Sequence, residues 1–118
     1  MNRARFVGMA LAACAAAAHA HAFLDHAEPR VGSVVKVAPT EVRLSFSEQI
    51  EPAFSSVKVL DAAGRRVDKG DAHVDSAQPE VLRISLQSLA PGAYSVQWRA
   101  VSVDAHVTNG SFGFRIAP

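Results

Sequence analysis

Near its carboxy-terminal end the chain reads Ser102-Val103-Asp104-Ala105-His106, which sets a carboxylate and an imidazole two residues apart between two alternating apolar segments. On an extended backbone successive side chains alternate faces, so Asp104 and His106 are expected to point the same way, roughly 7 Å apart. That is one oxygen donor and one nitrogen donor for a metal ion. Two donors do not hold an ion alone, so others must come from elsewhere in the chain.

Where they come from depends on how the chain begins. Arg3 and Arg5, the apolar run Phe6 to Ala18, and the small-residue stretch Ala18-His19-Ala20 read as a secretory leader over residues 1–20. The run is too short to span a membrane. The expected mature domain covers residues 21–118, about 98 residues. A competing reading of Leu11-Ala12-Ala13-Cys14 is a lipoprotein signal that would acylate Cys14. Cleavage after Ala20 instead makes His21 the first residue. Its free amine and its ring can then close a chelate on one ion, joined by the His106 imidazole and the Asp104 carboxylate. Three nitrogens and an oxygen suit tetragonal Cu(II), which also heads the divalent affinity order. Cys14, Met1 and Met9 all fall within the leader, so no soft sulfur donor is left for Cu(I).

The remaining histidines read as surface. His26 lies an odd number of residues from His21 and is expected to face away from it on a regular strand. His73, between Asp71 and Asp75, reads as part of a solvated loop.

The elements that position the donors are strands. Val42, Leu44 and Phe46 alternate with polar residues, as do Leu82, Ile84 and Leu86, then Tyr94, Val96 and Trp98, and finally Phe112, Phe114 and Ile116. Residues 21–27 read as a short strand ended by Glu28-Pro29, and residues 30–39 as a turn-rich link. Val57 and Val59 start a hairpin through Asp61-Ala62-Ala63-Gly64. Asp68 to Pro79 reads as a long loop or irregular edge. Tyr94 and Trp98 read as core. No helical period is evident. The expected fold is all-β, a Greek-key antiparallel β-sandwich of immunoglobulin-like type with about seven strands.

The 12 Lys and Arg against 11 Asp and Glu become 10 against 11 once Arg3 and Arg5 are lost, a net charge of −1. With neither a basic stripe nor an aromatic stacking surface, nucleic acid is not an expected partner.

Taken together, His21, Glu28-Pro29…Gly32-Ser33, Leu44-Ser45-Phe46-Ser47-Glu48, residues 92–99, Ser102-Val103-Asp104-Ala105-His106 and Gly110-Ser111-Phe112 resemble the CopC family of periplasmic copper-binding proteins. The resemblance implies a β-sandwich holding one Cu(II) per chain through His21, Asp104 and His106. It also implies that Glu48 is a nearby carboxylate able to orient a ligand N–H. Some relatives carry a second, methionine-rich Cu(I) site, and this chain has no methionine for it. The implied role is a periplasmic carrier or buffer in copper homeostasis or resistance, not an enzyme. It would be a monomer that hands copper to an inner-membrane transporter of the CopD type. Two alternatives stand beside it. One is a copper-dependent oxidative enzyme with an amino-terminal histidine, which Asp104 as an equatorial ligand opposes. The other is a metal-free structural sandwich.

Overall fold

The computed structural model describes residues 22–118, so the leader, Cys14 and His21 lie outside the described residues. Among the described residues there are eight strands: β1 Leu24–Glu28, β2 Val34–Val35, β3 Glu41–Phe46, β4 Ser56–Asp61, β5 His73–Val74, β6 Val81–Ser85, β7 Gly92–Val101 and β8 Val107–Ile116. They form two four-stranded sheets, ordered β1-β3-β6-β5 and β2-β8-β7-β4. Consecutive strands such as β3 and β4, or β6 and β7, lie in opposite sheets, which gives the crossovers of a Greek-key sandwich.

The alternating sequence explains the layers. In β3, Val42, Leu44 and Phe46 are buried while their neighbours are half-buried. Val57 and Val59 of β4, Leu82 and Ile84 of β6, Val96 and Ala100 of β7, and Phe112, Phe114 and Ile116 of β8 join the same core. Each large side chain so buried contributes about 1.5–3 kcal/mol, which lets a domain without disulfides hold together. Tyr94 and Trp98 are half-buried at its margin rather than enclosed. Tyr94 stacks on Phe114 at 5.4 Å, and Trp98 meets Phe46 edge-on at 5.2 Å. A Cβ at Gly110, opposite Trp98 in β8, would sit 2.7 Å from Cε2 of the indole, so that position has room for no side chain.

Two expectations are corrected. The sandwich is not wholly antiparallel, because β2 pairs parallel with β8, Val34 opposite Arg115. This short strand comes from the stretch read as a link, where Gly32 donates to the Gly113 carbonyl and steers the chain along the β8 edge. Of the two readings of Asp68 to Pro79 the irregular edge is the one observed, since β5 lies at the edge of its sheet and pairs with β6 through His73↔Arg83 and Val74↔Leu82. The hairpin after β4 is as expected: Gly64 has φ +82, and Leu60 bridges Arg66.

Asp68 closes the open side of the sandwich between β4 and β6. It is buried, and it accepts hydrogen bonds from Val59 N, Gly70 N and both Nε and Nη2 of Arg66 at 2.7–3.1 Å. Burial pushes its carboxyl up, but the Arg66 guanidinium and the two backbone N–H groups outweigh that and hold it below the usual carboxylate range.

Candidate metal centre

The turn from β7 to β8 is made by Ser102 to His106. Ser102 N donates to the His106 carbonyl and Ala105 N to the Ser102 carbonyl, each at 2.9 Å. Ala105 takes the left-handed conformation, φ +72, the one non-glycine residue among those described to do so. A β-carbon makes that conformation cost about 1–2 kcal/mol. The backbone between Asp104 and His106 is therefore not extended, and the expected separation of roughly 7 Å along a strand does not apply. The turn folds the two side chains onto each other, with Asp104 Oδ1 3.2 Å from His106 Nδ1.

Ser102 anchors this arrangement. It is almost fully buried, its hydroxyl donates to Asp104 Oδ1, and its oxygen accepts the His106 backbone N–H at 3.2 Å. The hydroxyl first, then the His106 ring, hold the Asp104 carboxyl below its usual range, so the carboxylate is ionised and aimed. Both Asp104 and His106 remain about half exposed, which leaves the pair open to an ion from solvent.

Two other segments converge on this end. Thr108 donates its hydroxyl to the Ala22 carbonyl at 2.7 Å. The next residue is clamped from the other side: Phe23 N donates to Ser47 Oγ at 2.9 Å, and Ser47 N donates to the Phe23 carbonyl at 2.8 Å. The loop after β3 is fixed to the same turn by an Ile50↔Ser102 bridge and a hydrogen bond from Glu51 N to the Val101 carbonyl. Glu48 sits on that loop with an exposed side chain. Among the described residues no group of three or more His, Cys, Asp or Glu side chains could hold a metal ion. Asp104 and His106 are thus brought together as a pair, Glu48 lies on an adjoining loop, and His21 lies outside the described residues.

His26, His73 and the acidic side chains beside them are engaged elsewhere. His26 is exposed and lies 3.3 Å from Glu28 Oε1, on a strand whose pairing is irregular between Leu24 and His26. His73 Nδ1 is 2.9 Å from the Asp71 carbonyl, while Asp71 accepts from Ser85 N and Asp75 from Arg83. Both histidines are at the surface, as expected.

The CopC domain matches residues 24–117. The chain belongs to the CopC family. It is 36% identical over 98 residues to Protein YobA of Escherichia coli strain K12, an alignment covering 82% of this chain and 79% of the relative. It is 34% identical over 124 residues to copper resistance protein C of Pseudomonas syringae pv. tomato, covering 98% of each. The fold superposes on the crystal structure of CopC from Methylosinus trichosporium OB3b with a TM-score of 0.77, at 36% identity, over 83% of this chain and 95% of that one. In this CopC-family chain the residues whose roles sequence reasoning passed over are Ser102, Thr108 and Ser47, which fix the converging segments through hydrogen bonds. The signal for Thr108 was available, since alternation places it on the same strand face as His106.

Proposed function

We propose that this chain is a periplasmic Cu(II)-binding protein of copper homeostasis or resistance, a carrier or buffer rather than an enzyme. In this reading residues 1–20 are removed on export and residues 21–118 form the working domain. Copper is the cargo, one ion per chain. His21 contributes its amine and ring, His106 an imidazole and Asp104 an oxygen. Glu48 on its neighbouring loop steadies a ligand N–H. The protein acts as a monomer and passes copper to an inner-membrane transporter of the CopD type.

The observation that carries this reading is the turn geometry. Two donors each about 2.0–2.1 Å from one ion, at right angles, stand about 2.8–3.0 Å apart. Asp104 Oδ1 and His106 Nδ1 are 3.2 Å apart, so a movement of about 0.2–0.4 Å would bring both onto one ion. Without an ion the same distance suits a hydrogen bond between Nδ1–H and the carboxylate, and an ion taken up by both atoms would displace that proton. The anchored Ala22 supports the remaining donors, because the peptide bond ties the amino-terminal residue to a segment already fixed beside the turn. A coordinated carboxylate favours holding Cu(II) over cycling it, which is why carriage is preferred to oxidation.

Titration of the processed protein with Cu(II), followed by electron paramagnetic resonance and by quenching of the single tryptophan, Trp98, tests this. One equivalent giving a tetragonal nitrogen-rich signal is expected. No saturable binding, or a signal lost equally with any histidine, would overturn it.

A further inference from the structure

Charge on this chain is nearly balanced in total, yet it is placed one-sidedly. On the sheet β2-β8-β7-β4, Val57, Val59, Val96, Ala100, Phe112 and Phe114 turn inward, so Lys58, Arg99 and Arg115 turn outward. All three are exposed. The one carboxylate in these four strands is Asp61 at the end of β4, taken up by Arg65 and the backbone of its own hairpin. Among the described residues Lys58, Arg99 and Arg115 form no ion pair. The opposite sheet differs: there Arg83 is bound by Glu41 at 2.7 Å and Asp75 at 2.9 Å.

The cations are also spread rather than clustered. Lys58 stands opposite Gln97, Arg99 opposite Ser56 and Asn109, and Arg115 opposite Ala93 and Val34. Between them lie small side chains such as Ser95 and Ser111. Val34 and Val107, 63% and 45% exposed, stand at the margins, and the exposed Lys36 follows β2.

We propose that this outer sheet face docks on an anionic lipid bilayer. Unpaired cations with no facing carboxylate match a surface of phosphate headgroups, each adding attraction that salt screens. Small side chains between them let the whole face approach, and the marginal valines reach the boundary of the headgroup region. An acidic protein would need to match cations spread over separate strands, whereas a bilayer supplies charge everywhere. The proposal rests on the exported-carrier reading only in naming which membrane is met, the periplasmic side of the inner membrane. There the Asp104–His106 turn, at the end of the same sheet, would lie beside the bilayer that holds the transporter to which copper is passed.

Copper-free protein is sedimented with vesicles of equal parts phosphatidylglycerol and phosphatidylcholine, and with phosphatidylcholine alone. Binding is expected only to the anionic vesicles, and it is expected to be lost at about 0.5 M salt. A triple variant, Lys58→Gln, Arg99→Gln and Arg115→Gln, should bind about a hundredfold more weakly, at roughly fivefold per cation. A control variant off the face, Arg43→Gln and Lys69→Gln, should lose far less per cation removed, with melting curves confirming that both fold. Absence of binding to anionic vesicles, or equal loss in the two variants, would overturn the proposal. So would retention on an acidic polypeptide without vesicle binding. Copper titration of the same samples reports the metal site separately, so either claim can fail without the other.

Discussion

Thr108 donates its hydroxyl to the carbonyl of Ala22 at 2.7 Å, so a residue two positions beyond His106 on β8 holds the start of the described chain. In the proposed site this bond would hold the segment that follows the amino-terminal donor. Thr108→Val keeps the side chain's shape and removes the hydroxyl. The loss of one hydrogen bond, about 1 kcal/mol, should weaken copper affinity roughly fivefold. Competition against a copper chelator would show it, while the electron paramagnetic resonance signal should be unchanged. A changed signal would mean that Thr108 acts on the ligands themselves.

Ser102 bears on Asp104 in a different way, by stabilising its ionised form. Ser102→Ala should raise the Asp104 pKa toward the ordinary carboxylate value, as followed by carbon-detected nuclear magnetic resonance of the copper-free protein. Because the folded-state pKa is depressed, the stability linked to Asp104 is present above its unfolded value, near 3.9, and is lost as pH falls through the folded one. In Ser102→Ala that acid-side dependence should shrink. A pKa that stays put would show that the hydroxyl does not hold the carboxylate.

His106 in the turn and His73 on β5 of the opposite sheet, both exposed, supply a paired control. His106→Ala should cut Cu(II) affinity far more than His73→Ala, whose ring nitrogen is engaged with the Asp71 carbonyl well away from the turn. Matched titrations would decide this, and equal losses would remove His106 from the donor set.

Much of the frame was legible because burial in a sandwich follows side-chain alternation, and β3 and β8 carry that pattern without interruption. The two-residue strands β2 and β5 were not, since a pair of residues shows no period and only tertiary contacts select their partners. The site was half legible. Asp104 and His106 announce themselves by type and spacing, but the turn that joins them does not. Its left-handed residue is Ala105, where a glycine or asparagine would have signalled the bend, so an extended reading was the natural one. Ser102 gave no sign, because its role depends on being buried beneath a turn whose shape the sequence conceals.

Asp68 gives a prediction about stability alone. Removing its carboxylate leaves Val59 N and Gly70 N without their acceptor and Arg66 without its partner. Asp68→Ala should destabilise the fold by about 2 kcal/mol, mostly from the two backbone N–H groups left without an acceptor, since the half-exposed Arg66 is screened by solvent and can be rehydrated. The wild-type protein should lose this contribution as pH falls below about 4 and through the depressed folded-state pKa, whereas the variant should show a flatter acid limb. Urea melts at several pH values would measure both. Unaltered copper affinity in the variant is also expected, and a parallel loss of binding would mean that this clasp is coupled to the metal site.

The central claim is that an amino-terminal histidine completes the donor set, and the most direct measurement compares protein beginning at His21 with protein carrying one added glycine before it. The addition turns a chelating amine into an amide while leaving Asp104 and His106 in place. In the processed protein the amine has a reference pKa of about 7.7–8.0, so copper must displace a proton and affinity should fall on acidification below neutrality. Chelator competition at several pH values should find tight, proton-linked Cu(II) binding by the processed protein and its collapse in the extended one. Equal affinities would contradict the account.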